Sequence, residues 1–423
     1  MKITVLLSLF IYVAAIALQY LSFKKNKYPF AINFILLLVL GGALQSLFGW
    51  PVFIKIVLFW LIPFQVTNLG LFIYFNYNFG TAIEPRRYRV KFDLLNGSLV
   101  LKNIRRWASI IGSAGSGKTE SVVYNFLKHF NEHQFSGVIH DYKDFEITEM
   151  AYPLFNNTEI PFHIISFDDI HQRVNPIAPR YMEDEESVNE VSRVLLENLL
   201  EQRETIAMGS SKFFNDAVEG LLGGLIWKLK TSHGKYCTLP HLIATYQYLD
   251  TENLIHFLSS DFTSKAMADA FISGKDSERQ TAGVMSTLAN ALKKISTQRI
   301  FMALSADEVP LDINNPEHPS VVSIVNNPKF ETAYSPVIAT IIHTITKQMS
   351  KRGRHRSFVL MEEAPTIRLL NMHRIPATLR SYDVATIYVL QDKIQNDMMY
   401  GDKASRAILS NLSYQFFGKA NDP

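Results

Sequence analysis

The chain has a single cysteine, Cys237, among its 423 residues. That excludes a disulfide framework and a cysteine-rich zinc site, both of which need several thiols. Charge is sparse as well. Asp, Glu, Lys and Arg make up 19% of residues and the net charge is +3, below the usual charged share of about a quarter. This balance excludes a disordered acidic or basic tail protein and points to no partner by bulk charge. No internal repeat or low-complexity segment is visible. The sharpest deficit is local. Residues 1–83 contain no Asp or Glu, and their only cations are Lys2, Lys24, Lys25, Lys27 and Lys55.

Three apolar stretches fill that region, at 2–23, 29–49 and 52–78. About 20 helical residues cross a hydrocarbon core about 30 Å thick, so each is long enough to span. The third is the least clean, with Lys55, Pro63 and Asn68 in it. Two spans plus one interfacial stretch is therefore an alternative. A cleaved signal at the first stretch is a weaker one, because no small-x-small site precedes Lys24. The loop at 24–27 and the segment at 84–91 are basic, and the loop around 48–51 is uncharged. Three spans with the amino terminus outside put both basic segments on the cytoplasmic side, as the positive-inside rule asks.

Residues 112–119 read Gly112-Ser113-Ala114-Gly115-Ser116-Gly117-Lys118-Thr119. This fits G-x-x-x-x-G-K-[ST], which a chain this long matches by chance roughly once in a hundred. A short apolar strand, 107–111, precedes it. After it come Val122, Val123, Phe126, Leu127 and Phe130 at helical spacing. Strand, glycine loop and helix stand in the order a phosphate-binding loop requires. Glycines let the backbone turn its N–H groups onto phosphate oxygens, and the helix start adds a positive dipole end. Lys118 then reaches the β- and γ-phosphates of ATP, and the Thr119 hydroxyl ligates Mg2+.

Such a loop needs an acidic partner. The apolar run 357–361 ends in Glu362-Glu363. Glu362 takes the place of the acid in the Mg2+ shell, usually Asp, and reaches the ion directly or through water. Glu363 polarises the attacking water. A pair of surface acids at a strand end is the bland alternative. Gln391 follows a second buried-strand pattern, 384–390. It senses the γ-phosphate, positions water, or simply caps the strand. Arg380 is either an arginine finger for a neighbouring subunit or a solvated charge.

Strands are expected at 98–101, 107–111, 136–140, 162–166, 320–325, 357–361, 385–390 and 413–418. Helical patterns alternate with several of them, which argues for a mostly parallel α/β sheet. From about 178 to 300 the pattern is helical throughout, with runs at 186–200, 213–230, 254–258 and 281–295. Basic clusters lie at 86–91, 102–106 and 351–356. Each is a phosphate-contacting surface or a solvated loop. The first also fits an anionic membrane face.

Taken together, these residues make the chain resemble the type IV secretion coupling proteins, the TraG/TraD-like conjugation ATPases of the FtsK/HerA motor class. The resemblance runs through the membrane end, the loop at 112–119 and the turn Asp141-Tyr142-Lys143, where the family tends to have Asp-Pro-Lys. It continues through Asn175-Pro176, the segment 360–365 and the run from 376 to Gln391. It implies an α/β fold: a P-loop NTPase of the RecA-like kind, a mostly parallel sheet with an all-helical insertion and an amino-terminal transmembrane helical anchor. The implied division is an anchor at 1–83, a first nucleotide-domain part at 84–177, the insertion at 178–300 and a second part at 301–423. It also implies a homo-hexameric ATPase, multi-pass in the bacterial inner membrane, with its motor in the cytoplasm. Its partners would be single-stranded DNA with its relaxase, the relaxosome, and components of the type IV secretion channel. Three departures stand out. The family usually has two spans, both acids are Glu here, and relatives continue past the last strand, so a carboxyl-terminal truncation is expected. A pump for DNA segregation or protein effectors is the alternative within the motor class. Outside it stands a nucleotide-binding membrane scaffold with little turnover.

Overall fold

The computed structural model describes residues 49–76, 84–156, 158–200, 210–275 and 277–418. The chain separates into two units, residues 1–83 and 84–423. In the first, helix Trp50–Ile56, a π-helical turn Val57–Leu61 and helix Ile62–Asn76 follow one another. The π turn sits just ahead of Pro63, whose missing N–H breaks the regular ladder. Among the described residues no single helix is long and apolar enough to cross a membrane. The stretch 2–23, and 29–49 except for Gly49, lie outside the described residues.

The second unit begins with a hairpin, β1 (Val90–Leu94) against β2 (Gly97–Leu101). The remaining strands are β3 (Ala108–Ile111), β4 (Ser136–Asp141), β5 (Phe162–Ile165), β6 (Val321–Val325), β7 (Ser357–Met361), β8 (Val384–Leu390) and β9 (Tyr414–Phe417). They form one seven-stranded sheet in the order β5-β6-β4-β7-β8-β3-β9, with every pairing parallel. Strands β4, β6, β7 and β8 are buried at every residue. That matches the largely apolar sequences of β6, β7 and β8, since a parallel sheet is covered on both faces.

Side chains alternate between two cores, as the strand period of two demands. Ile139, Phe358, Leu360, Ile387 and Val389 join Phe126, Phe130 and Phe135 on one face. Val138, Val359, Met361, Tyr388 and Leu390 face the other, against helix Glu331–Met349. Between β5 and β6 the described residues hold helices and no strand. The longest are Glu185–Leu199, Ser210–Ser232 and Glu278–Lys293. Asp184, Thr238, Asp250, Asp261 and Thr297 cap helices in this stretch, each accepting a backbone N–H from the first turn. The apolar faces of these helices merge with the second sheet core into one cluster. Cys237 is buried within it, and burial pushes its thiol up to about 12.

Because all seven strands run parallel, their carboxyl ends share one edge, where ligands bind in open α/β sheets. Register brings three of these ends within two residues of one another. Ile111 pairs with Leu390, and Met361 pairs with Tyr388. The residues that follow, Gly112, Gln391 and Glu362-Glu363, therefore emerge side by side.

Candidate functional site

The glycine loop leaves β3 with the Gly112 N–H donating to the Leu390 carbonyl of β8 at 3.3 Å. A turn closes at once, with the Ser116 N–H on the Ser113 carbonyl at 3.2 Å. Gly115 and Gly117 have φ of 72° and 77°, the left-handed region that favours glycine. A Cβ at Gly112 would lie 2.8 Å from Ser116 Oγ and 3.1 Å from Gly418 Cα, so the loop is packed to backbone contact there. Ala114, Gly115 and Gly117 are exposed, while Ser113, Ser116 and Thr119 are half-buried. The chain then winds through the π turn Thr119–Val123 into helix Tyr124–Glu132. Val123, Phe126, Leu127 and Phe130 anchor that helix to the sheet.

Lys118 folds back into the loop. Its ammonium donates to the Gly112 carbonyl and, at 3.1 Å, to the Ser113 carbonyl. Burial lowers its pKa; Glu363 and Glu362 pull it back up, while Lys143 adds to the lowering.

The two acids are both buried, at 1% and 2% exposure, and they turn different ways. Glu362 leans toward β4. Its N–H donates to the His140 carbonyl at 3.1 Å, and its Oε2 accepts the Tyr142 N–H at 3.1 Å. Oε1 lies 3.1 Å from Lys143 Nζ but accepts no well-aligned hydrogen bond. Burial raises this carboxyl to about 7; Lys143 works against the rise and Asp141 adds to it. Glu363 sits in the left-handed region at φ 42°, ψ 50°. It leans toward β8, where Oε1 accepts the Gln391 side-chain amide at 3.0 Å. The Glu363 carbonyl receives the Thr366 N–H at 2.9 Å and its hydroxyl at 2.8 Å.

Lys118, Glu362, Glu363 and Gln391 thus meet at one sheet edge. Arg380 does not join them: it is exposed at the last residue of helix Ile375–Arg380. Lys143, singled out in the sequence only as part of a turn, is a further member. Its ammonium lies 3.1 Å from Glu362 Oε1, 3.9 Å from Glu363 Oε1 and 3.6 Å from Glu146 Oε2. Its position right after β4 was the available signal, but that β4 lies next to β7 is not written in the sequence. Asp141, fully buried, shapes the same turn. Its Oδ2 accepts the Thr148 N–H at 2.7 Å and hydroxyl at 2.6 Å.

Among the described residues no group of three or more His, Cys, Asp or Glu could hold a metal ion. A divalent ion here must take most of its ligands from nucleotide oxygens and water, as Mg2+ commonly does. The donor set suits that arrangement. Glu362 Oε1 and Ser116 Oγ are buried without a hydrogen-bond partner, and Thr119 stands at the loop's end.

The family model described as type IV secretory system conjugative DNA transfer matches residues 78–423. A search among curated protein sequences returns no match. Several solved structures share the fold. The plasmid coupling protein TrwB in complex with ADP and Mg2+ has a TM-score of 0.59 at 12% identity, over 74% of this chain and 70% of that one. The unbound monoclinic form of the conjugative coupling protein TrwBdeltaN70 has a TM-score of 0.60 at 12% identity, over 76% and 71%. VirB4 of Thermoanaerobacter pseudethanolicus has a TM-score of 0.52 at 12% identity, over 81% and 87%.

Proposed function

The chain belongs to the type IV secretory system conjugative DNA-transfer family, and on that premise we propose that it is an ATP-hydrolysing motor for DNA transfer. One observation carries the nucleotide reading. The Lys118 loop and the Glu362/Glu363 pair end strands β3 and β7, which are separated only by β8, and Gln391 at the end of β8 bonds Glu363. Neighbouring strands are about 4.8 Å apart, so the gap is about 10 Å, enough for a terminal phosphate and one water. That solved TrwB structures hold ADP with Mg2+ or an ATP analogue supports the choice of ligand.

In this reading the N–H groups of residues 113–119 cradle the phosphates, and Lys118 exchanges its two carbonyl partners for phosphate oxygens. Thr119 and Glu362 hold Mg2+, which supplies charge neutralisation as the γ-phosphate departs. Glu363 polarises the attacking water, and Gln391 fixes the orientation of that carboxylate. Arg380, exposed and outside its own site, serves the nucleotide of the next subunit in a homo-hexameric ring. Residues 1–83 anchor the ring in the bacterial inner membrane, and the helices of 178–300 meet the relaxosome and the secretion channel. The cargo is single-stranded DNA bound to its relaxase, gripped through backbone phosphates by basic residues.

The test is hydrolysis by the detergent-solubilised full-length chain, with and without single-stranded DNA. Mg2+-dependent turnover that DNA stimulates is the expected result. Nucleotide binding without turnover would make the chain a scaffold, and absence of nucleotide binding would remove the site itself.

A further inference from the structure

The nucleotide reading leaves one buried contact without a role. Glu362 and Glu363 are almost wholly sealed from water, and buried acids are ordinarily paired with a cation or a metal. Lys118 is engaged with the carbonyls of Gly112 and Ser113. Among the described residues, Lys143 is the only cation ion-paired with either acid. We propose that Lys143 is a built-in counter-ion: it holds the place of the divalent cation beside Glu362 and Glu363, and yields it by moving to Glu146 when Mg2+-nucleotide arrives. This rests on the assignment of the site to a nucleotide.

The turn is built so that the side chain can move while the backbone stays. The Lys143 N–H donates to Asp141 Oδ1 at 3.3 Å, and Asp141 is itself tied to Thr148. On the other side the Tyr142 N–H is held by Glu362 and its hydroxyl by Glu331 at 2.8 Å. Asp144 and Phe145 follow with φ of 52° and 74°. Two consecutive left-handed non-glycine residues persist only where the surroundings over-determine them. The ammonium therefore projects from a fixed base between an inner pair of acids and an outer one. Glu362 and Glu363 are almost wholly buried, whereas the Glu146 side chain is 43% exposed and that of Lys143 33% exposed. An incoming divalent cation repels the ammonium, and Glu146, 3.6 Å away in the first turn of helix Glu146–Phe155, receives it. Lys143 is a positioning residue, since it acts on the acids and not on the phosphate.

The experiment titrates MgCl2 against ADP binding by calorimetry, using the detergent-solubilised full-length chain, and measures KM and kcat for MgATP. Lys143→Ala is expected to lower the half-saturating MgCl2 about tenfold, the size of one nearby-charge effect, and to lower KM with little change in kcat. Lys143→Arg is expected to restore the parent Mg2+ dependence. Glu146→Gln, which removes the outer partner but leaves the buried acids intact, is expected to raise the Mg2+ requirement. Unchanged or increased Mg2+ demand in Lys143→Ala overturns the proposal, as does an unaltered Glu146→Gln. If the parent chain binds ADP normally and the variants do not shift, the role of Lys143 alone falls. If the parent fails to bind ADP at any MgCl2 concentration, the nucleotide assignment falls and takes this role with it.

Discussion

Replacing Glu362 with Gln is expected to flatten the pH dependence of stability. Burial holds the Glu362 carboxyl up at about 7, against an ordinary 4.5. Between those two values the native chain binds more protons here than the unfolded chain does. Stability from this group is therefore fully present below about pH 4.5 and is lost as pH rises through about 7. The gap of about 2.5 units corresponds to a native-state cost of ~3 kcal/mol at high pH. Gln keeps an oxygen for the Tyr142 N–H, bonded at 3.1 Å, and removes the charge. The lost Lys143 contact works the other way. Burial lowers that ammonium, but Glu362, Glu146 and Glu363 together leave it raised. The net gain for Glu362→Gln at about pH 8 is then about 1–3 kcal/mol, with little gain at about pH 4.5. Urea unfolding of both proteins at the two pH values, in chelator, measures it. Pairing variant with parent cancels the titration of the groups that do not interact with Glu362, leaving its own charge and its coupling to Lys143, Asp141 and Glu146. A stability difference equal at both pH values would refute the buried, proton-retaining carboxyl.

Lys118→Ala is expected to abolish phosphate release from ATP, since among the described residues Lys118 is the ammonium that bonds the loop carbonyls; turnover retained in that variant would mean the site is misplaced. A Cβ at Gly137 would lie 2.3 to 2.5 Å from ring atoms of Phe358, which stacks on Phe130 at 4.4 Å. Gly137→Ala is expected to cost about 1–3 kcal/mol by overpacking, and an unmoved urea midpoint would contradict that packing. Cys237, fully buried with its thiol pushed up to about 12, is expected to resist thiol reagents until the chain unfolds. Labelling at native conditions would count against its burial.

Much of the sheet could be read from the sequence because buried parallel strands are written as unbroken apolar runs. All eight expected strands are present, with ends shifted by a residue or so. The ninth, β1, was missed. Its Val90-Lys91-Phe92-Asp93-Leu94 sequence buries only Val90 and Phe92, and Lys91 also closes the basic run 86–91. The glycine loop was legible because its chemistry fixes spacing within eight consecutive residues. What the sequence could not carry was strand order. The Lys143 contact with Glu362 needs β4 beside β7, and the Gln391 bond to Glu363 needs β7 beside β8. The helical stretch between β5 and β6 was also legible from its periodicity. Its merger with the sheet core was not, because an apolar stripe does not name the surface it will cover.

Consecutive strand residues ordinarily point to opposite faces, yet Lys143 Nζ lies within 3.9 Å of both Glu362 and Glu363. The left-handed backbone at Glu363, φ 42° and ψ 50°, is what allows it. Leaving the pleat turns Glu363 toward Gln391 while Glu362 stays toward Tyr142 and Lys143. That conformation costs a non-glycine residue ~1 kcal/mol or more, and strain of this kind gathers at functional sites. Comparing Glu363→Gly with Glu363→Ala isolates the backbone, since both lack the carboxylate. At an unstrained position Ala is the more stable by about 0.5–1 kcal/mol, because Gly has more chain entropy to lose. Here the order is expected to invert, with Gly more stable by about 0.5–1 kcal/mol, and both variants should stop hydrolysis. Glu363→Gln, which keeps shape but not charge, should still bind nucleotide while turnover falls by at least about a hundredfold. Urea midpoints that place Ala above Gly would refute the strained backbone. Parent-like turnover in Glu363→Gln would separate the two acids and leave the water without its base.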